Sequence, residues 1–267
     1  MEDVYLTIGD AEEGVQERLA DLLELRAADA RQREMLDEYL ADLALTAGSR
    51  VLEIGCGTGA VVRRIAERFD GAEVIGIDPS RVFVEHARRL ARGAGRVSFI
   101  VGDGRELPFQ DGAFDAIVCH TSLCHIPGPE RVLEEAARVA RPRGQLAVFD
   151  GDYATTTVAT SPADPLQACA EAAVSTLVYD PHFVRRLTGL VRSAGWEPVR
   201  TRSLGYVQTA EPVYMLALID RGADALAAAG RIAAATAEAL KREARRRAQT
   251  GTFFGHIAYL SLVAERG

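Results

Sequence analysis

Residues 51–59 read VLEIGCGTG. An apolar strand with an acid near its end, Glu53, runs into a glycine turn, and the apolar spacing of Ala60–Phe69 predicts a helix directly after that turn. Glycine allows the backbone to adopt positive φ and to approach a ligand that a Cβ would exclude, and the first turn of a helix presents unpaired N–H groups. The stretch therefore predicts a strand–turn–helix unit that can bind a ligand.

Short apolar strands alternate with helices on the carboxyl side of this turn. The predicted strands are 50–54, 73–77, 97–101, 114–119 and 145–150, with helices at 60–69, 81–92 and 130–140. Strands separated by helices of this length indicate βαβ units and a parallel sheet.

The flanking segments follow a different pattern. They are predicted as helical at 11–45, a loop at 155–165, helices at 166–177 and 181–194, a strand at 196–204, one long helix at 223–247 and a last strand at 252–264. We predict an α/β fold: a doubly wound, mostly parallel sheet with N-terminal helices and a helical cap insertion over the substrate site. The division is 1–48 for the N-terminal helical segment, 49–204 with 251–267 for the core, and 205–250 for the cap.

Composition excludes several classes of protein. The chain has 267 residues and a net charge of −7, which disfavours a nucleic-acid substrate because phosphate contacts need a basic surface. No apolar run approaches the ~20 residues that span a bilayer. The acidic start, Met1-Glu2-Asp3, does not resemble a signal peptide, and four cysteines are too few for a disulfide framework. We expect a cytoplasmic protein with neither a nucleic-acid nor a membrane partner, and a homodimer is a candidate assembly.

Three further motifs follow the predicted strands. Asp78, in GIDPS at the end of the second strand, can accept hydrogen bonds from a ribose diol. Asp103 and Gly104, just past the third strand, carry an acceptor and a backbone donor that together match an adenine edge. His120 and Thr121 end the fourth strand. In an open α/β sheet all of these residues meet in the crevice at the carboxyl ends of the strands.

With these motifs the chain resembles the class I S-adenosylmethionine (SAM)-dependent methyltransferases from about Arg50 to Asp150. LEIGCGTG, GIDPS, GDGRELPF and ARVARPRGQL occur in the order and at the spacing of that family. The resemblance implies a seven-stranded Rossmann-like sheet with an antiparallel closing strand, SAM as cofactor and S-adenosylhomocysteine as its product.

The resemblance also implies roles for individual residues. The turn glycines would approach the methionine part of SAM, Asp78 the ribose hydroxyls and Asp103 the adenine amine, while Glu53 would orient the turn. The predicted cofactor-binding residues are Glu53, Gly55, Cys56, Gly57, Thr58, Gly59, Asp78, Pro79, Ser80, Gly102, Asp103, Gly104, His120 and Thr121.

The implied reaction is an in-line SN2 transfer of the SAM methyl group to O, N or C of a small molecule, such as a specialised metabolite. Because histidine titrates near neutrality, we predict His125 as a catalytic residue, together with Asp150, Asp152 and Tyr153 at the mouth of the fifth strand. The wider set of candidate bases adds His120, Tyr179, His182 and His256. For each histidine, and for the Asp150–Tyr153 loop, a purely structural role stays open.

Two other functions remain open at this point. Gly55-x-Gly57-x-x-Ala60 also fits a nicotinamide-dinucleotide fingerprint, which makes an NAD(P)-dependent oxidoreductase the first alternative. A SAM-binding protein without turnover is the second. The conjunction with Glu53 and Asp103 favours the methyltransferase, because neither residue belongs to the dinucleotide fingerprint.

Two local patterns invite other interpretations. Cys119-His120 and Cys124-His125 suggest a metal site, but a cysteine on a buried strand usually acts as a small hydrophobe, so we predict no metal. The basic run at 241–247 suggests RNA, yet it fits better as the cationic end of a long helix.

Overall fold

The computed structural model describes residues 3–267, and a seven-stranded sheet lies at its centre. The strands are β1 Arg50–Ile54, β2 Glu73–Asp78, β3 Arg96–Val101, β4 Phe114–His120, β5 Ala140–Thr157, β6 Trp196–Gln208 and β7 Gly255–Arg266. Their order in the sheet is β3-β2-β1-β4-β5-β7-β6. Strands β1 to β5 pair in parallel, whereas β7 is antiparallel to both β5 and β6. The predicted doubly wound, mostly parallel sheet is therefore confirmed.

Helices connect the parallel strands and cover the carboxyl edge of the sheet. They are α1 Glu13–Ala28, α2 Ala30–Leu40, α3 Ala60–Arg68, α4 Arg81–Leu90, α5 Pro129–Val139, α6 Leu166–Leu177, α7 Leu187–Ser193, α8 Val213–Ala228 and α9 Ala234–Gln249. Short 3₁₀ turns occur at Val4–Asp10, Leu123–His125 and Phe183–Arg185. In the part of the chain that is described, no helix has both the length and the apolar character needed to cross a bilayer.

The prediction of one long helix over 223–247 is wrong. The chain reverses at Gly230, which adopts a left-handed φ of 67°, and α8 and α9 form an antiparallel hairpin. Ion pairs join the two helices, with Arg245 on Asp220 and Lys241 on Asp224. The alanine-rich composition favours helix throughout the segment, so a single glycine at the turn decides where the helix ends.

Strands β5 and β6 are longer than predicted. Residues 155–157 read as part of a loop, yet β5 continues to Thr157, which pairs with His256 of β7. On its other side β7 pairs along β6 as far as Gln208. The long closing strand therefore extends both neighbours, and Tyr153 becomes a strand residue above the carboxyl edge of the parallel sheet.

The N-terminal helices belong to two hydrophobic clusters. Met35, Tyr39 and Leu40 of α2 are fully buried in the main core. Ile8 and the first half of α1 pack instead on Phe83 of α4, in a separate cluster beside the second strand. The division into N-terminal segment, core and cap remains a prediction.

Candidate functional site

A cavity of about 450 Å³ lies at the carboxyl ends of β1, β2 and β4. The glycine turn forms its floor, and side chains from the N-terminal segment, β5, α6 and α8 form its walls. This is the crevice where open α/β sheets bind ligands, because the strand order reverses between β1 and β4.

The glycine turn can be built only from glycine at two of its positions. Gly55 has φ of 74°, and a Cβ there would lie 2.5 Å from the Cβ of Ser122. Gly59 has φ of 76°, and a Cβ there would lie 2.5 Å from the ring of Phe99. Glycine is therefore required for packing of the turn against Ser122 and Phe99. Gly55 and Gly57 line the cavity just before α3 begins.

Asp78 holds the turn in place. Its Oδ2 accepts a hydrogen bond from the Gly57 N–H at 2.9 Å, and its Oδ1 accepts from the Ser80 N–H at 2.9 Å. Burial raises the pKa of Asp78 to about 6, because the two backbone donors only partly offset the loss of water. The carboxylate lines the cavity and each oxygen keeps a free lone pair, so it can accept from a ligand hydroxyl.

Glu53 is a buried acid with an unused oxygen. It is 2% exposed, it lines the cavity, and its Oε2 has no hydrogen-bond partner among residues 3–267. Burial raises the pKa of this carboxyl well above its usual value. An orphaned buried carboxyl is costly unless a ligand supplies a donor, and a ligand ammonium group would do so.

Arg26 is a site residue that sequence reasoning missed. Its Nη1 donates to the Thr121 hydroxyl at 3.0 Å, whereas Nη2 is buried without a partner in the described part of the chain. The guanidinium lines the cavity, 5.8 Å from the centre of the Tyr259 ring. A buried guanidinium with a free N–H fits an anionic ligand group. The one signal in the sequence is an arginine that ends the leucine-rich run LLELR.

His120 belongs to an aromatic stack. Its ring lies parallel to Phe149 with 4.7 Å between centroids, and its Nδ1 is 3.0 Å from the Tyr39 hydroxyl. Burial lowers its pKa well below the usual value, so the ring is neutral. His120 and Thr121 line the cavity from the end of β4, as the sequence predicted for their location.

The wall opposite the glycine turn is apolar and aromatic. It comprises Tyr5, Ile126, Tyr153, Val174, Leu177, Val178, Tyr214 and Leu218. Burial raises the pKa of Tyr5 to about 12, and the pKa values of Tyr153 and Tyr214 also rise, so the three phenols stay protonated. Helices α6 and α8 supply four of these side chains, so helices beyond β5 form part of the cavity wall. A cap insertion over the substrate site stays a prediction.

The predicted catalytic residues separate into two groups. His125 and Tyr153 line the cavity. Asp150 is fully buried behind it and accepts from the backbone N–H groups of Cys124 and Gly151. Asp152 accepts from Arg185 Nε at 2.9 Å. These two aspartates hold the segments that frame the cavity and do not line it, so a catalytic role for them stays a prediction.

The motif around Asp103, which follows β3, also lies outside the cavity wall. Asp103 is half-exposed and accepts from the backbone N–H and the guanidinium of Arg105, which lowers its pKa. Gly102, Gly104, Ser80 and Gly59 do not line the cavity either. Adenine recognition by Asp103 stays a prediction, and it requires the carboxylate to accept a further hydrogen bond beside Arg105.

Asp3 is the second residue that the motifs did not identify. Its side chain is 1% exposed, and its Oδ2 lies 2.7 Å from His125 Nδ1. Backbone N–H groups of Tyr5 and Tyr179 also donate to this carboxylate, at 2.9 and 2.8 Å. An acid in an unpatterned N-terminal stretch carries no local signal, so only the fold brings it to His125.

Intramolecular ion pairs engage four of the five cations in the basic run on α9. Lys241 and Arg245 pair with α8, Arg246 pairs with Glu243, and Arg247 pairs with the buried Asp164 that precedes α6. Cations already paired within the cap offer little to a phosphate backbone. This arrangement supports the interpretation of the run as a helix face.

Known proteins are similar to parts of the chain. The family described as "Methyltransferase domain" matches residues 52–148. A methyltransferase of Streptomyces halstedii, GfsG, is 40% identical over 126 residues, which are 46% of this chain and 45% of that protein. The 27-O-demethylrifamycin SV methyltransferase of Amycolatopsis mediterranei is 38% identical over 177 residues, 61% of this chain and 60% of that protein. The chain spans about half the length of the curated relatives it matches.

A solved structure shares the whole fold. The crystal structure of the [4+2]-cyclase SpnF superposes with a TM-score of 0.64 at 22% identity, and the match covers 99% of this chain and 97% of that one. At this identity the likeness concerns the fold alone. The motif match and the sheet order agree with each other: residues 52–148 form a methyltransferase domain of the class I SAM-dependent type.

Proposed function

We propose that this chain transfers the methyl group of SAM to a small, largely apolar acceptor. The observation that carries the proposal is one cavity that joins the glycine turn to an aromatic wall. A cavity of about 450 Å³ with apolar walls and a few polar groups is typical of small-molecule sites.

The residues at the floor of the cavity fit SAM. Glu53 has an unused carboxyl oxygen for the ammonium group, and Arg26 has an unused N–H for the carboxylate. Asp78 offers acceptors for the ribose hydroxyls beside the turn. When bound, SAM would supply an electrophilic methyl group on a sulfonium.

The walls of the cavity would hold and orient the acceptor. Val174, Leu177 and Leu218 exclude water, and the tyrosine rings restrict how an acceptor can lie. Alignment of two bound reactants supplies much of the rate in such a transfer, because the leaving group is a neutral thioether. A relative named for 27-O-demethylrifamycin SV supports a specialised metabolite as acceptor.

Label transfer tests the proposal directly. The purified chain is incubated with methyl-labelled SAM and fractionated cell extract, and the same mixture without the chain is the blank. We expect label in the small-molecule fraction, and mass spectrometry then identifies the acceptor. Label in RNA or protein would contradict the acceptor class.

Ligand binding tests the alternatives. S-adenosylhomocysteine should raise the melting temperature whereas NADH should not, since only a ligand of the folded state stabilises it. Stabilisation by NADH alone would favour the alternative function, an NAD(P)-dependent oxidoreductase. Binding of S-adenosylhomocysteine without label in any fraction would identify a SAM-binding protein that lacks turnover.

A further inference from the structure

The N-terminal segment carries a buried carboxylate to a histidine that lines the cavity. Asp3 Oδ2 lies 2.7 Å from His125 Nδ1, and the Tyr179 N–H donates to the same oxygen. The Tyr5 N–H donates to the other oxygen at 2.9 Å, and the Tyr5 ring lies 4.6 Å from the imidazole centroid. The carboxylate is thus fixed by two backbone donors, and the imidazole is fixed by the carboxylate and a ring.

This contact sets the tautomer of His125. A carboxylate that already accepts from backbone can face Nδ1 at 2.7 Å only if Nδ1 carries a proton. In the neutral ring the other nitrogen, Nε2, is then an acceptor without a proton. Because His125 lines the cavity, Nε2 is the nitrogen available to a bound acceptor molecule.

The groups that surround His125 do not compete with its imidazole as the base for a bound acceptor. Asp3 and Tyr5 face it from the N-terminal segment, Cys124 precedes it, Asp150 lies behind it on β5, and Arg26 lies across the cavity. Burial raises the pKa values of the Tyr5 phenol and the Cys124 thiol, so both are neutral. Both oxygens of Asp150 accept from backbone N–H groups.

We propose that Asp3 positions His125 as the base for a hydroxyl acceptor, so that the chain methylates oxygen. This inference rests on the proposed function. The acceptor oxygen forms a bond to the methyl carbon as the carbon–sulfur bond breaks, and that electron pair stays on sulfur as a neutral thioether. The hydroxyl proton passes to His125 Nε2, the Asp3 carboxylate faces the resulting imidazolium, and water takes the proton afterwards.

The N-terminal segment must be docked for this base to exist. Tyr5 and Ile8 line the cavity, and Gln16 at the start of α1 accepts a hydrogen bond from the Ser80 hydroxyl at 2.5 Å. Ser80 follows Asp78 by two residues and donates its N–H to it. The same segment therefore contacts the cofactor side and completes the base on the acceptor side.

Rate measurements form the first part of the test. With labelled SAM and the active extract fraction as acceptor, His125→Gln should lower the transfer rate by about 10²–10⁴-fold, the usual contribution of a base. Asp3→Asn should lower it about ten- to a hundredfold, and added imidazole should partly rescue His125→Ala. The affinity of these variants for S-adenosylhomocysteine, measured by calorimetry, should equal that of the wild type. Glu12→Gln is the matched control, because Glu12 is exposed and its side chain makes no capping hydrogen bond to α1.

Nuclear magnetic resonance gives a readout that needs no turnover. Long-range ¹H–¹⁵N spectra should show His125 with a protonated Nδ1 and an unprotonated Nε2, assigned by the loss of the signal in His125→Gln. Asp3→Asn should yield a mixture of tautomers while circular dichroism stays unchanged. A wild-type ring protonated on Nε2, or an Asp3→Asn rate equal to that of Glu12→Gln, would overturn the inference. Methylation of nitrogen or carbon would overturn it and leave the proposed function standing, whereas absence of all label would reject the proposed function instead.

Discussion

The two halves of the cavity are built in different ways. The cofactor half comes from consecutive strand ends, and Glu53, Asp78 and Thr121 lie there beside backbone N–H groups. The acceptor half is formed by single side chains from the N-terminal segment, β5, α6 and α8. In the sequence these side chains extend from Tyr5 to Leu218.

This difference has a physical cause. Backbone groups at the ends of parallel strands are positioned by the sheet itself, so a short motif is enough to make a cofactor site. An acceptor wall needs shape and apolar surface, which many sequences can supply through packing of separate helices. We therefore expect the cofactor half to depend on single polar atoms and the acceptor half to depend on helix packing.

The largest expected effect concerns packing in the acceptor half. A Cβ at Gly222 of α8 would lie 1.7 Å from the carbonyl oxygen of Cys169 in α6. Gly222→Ala must force these helices apart, and we expect a loss of about 3 kcal/mol or more in the free energy of unfolding, measured in urea. The control is Gly189→Ala in α7, where a Cβ meets nothing within 4 Å. That change should stabilise by up to about 1 kcal/mol, and equal behaviour of the two variants would disprove close packing of α6 on α8.

The next effect concerns one carboxylate in the cofactor half. Asp78→Asn keeps the size of the side chain but removes its charge and half of its acceptor capacity toward Gly57 and Ser80. We expect binding of S-adenosylhomocysteine to weaken by about 1–3 kcal/mol, the cost of losing a charged hydrogen bond. Calorimetry measures the change. Affinity within twofold of the wild type would remove Asp78 from the binding site.

Arg26 lies where the two halves meet, so it sharpens the comparison. If its free N–H binds the cofactor carboxylate, Arg26→Met should weaken S-adenosylhomocysteine binding about tenfold, near the ~1.5 kcal/mol of a charged hydrogen bond. Decarboxylated S-adenosylhomocysteine lacks that carboxylate, so Arg26→Met should not change its binding. Equal losses for both ligands would assign Arg26 to packing, and no loss for either would assign it to the acceptor half.

The smallest effect is a pH dependence. Burial raises the pKa of Asp78 to about 6, and ligand hydroxyls that donate to the carboxylate favour its ionised form. Binding should then release a proton, and S-adenosylhomocysteine affinity at pH 5.5 should be about fourfold weaker than at pH 7.5. Asp78→Asn should flatten this profile. A flat wild-type profile would show that the pKa does not change on binding.

The same group should affect stability without ligand. Because the folded state holds this proton more tightly than the unfolded chain, ionisation of Asp78 lowers the free energy of unfolding as the pH rises from about 4 to 6. Denaturant titrations across this range should show a decline that Asp78→Asn lacks.

Much of the cofactor half could be predicted from the sequence. The strand–turn–helix at VLEIGCGTG, the acid that follows β2 and the pair that ends β4 all lie at the cavity, because local hydrophobic periodicity determines strands and parallel pairing aligns their ends. The motif around Asp103 is the exception. Its position after β3 was predicted, but its pairing with the neighbouring Arg105 depends on side-chain conformations that spacing does not reveal.

By itself, then, the sequence determined the mostly parallel sheet, its antiparallel closing strand by resemblance, and the location of the glycine turn, since these depend on periodicity and on residues that only a tight backbone needs. The tertiary structure alone decided which side chains form the cavity wall, and the contacts of Arg26 and Asp3. Asp3 and His125 are 122 positions apart in the chain. No local pattern encodes such a contact, because it arises where separately folded segments pack against one another.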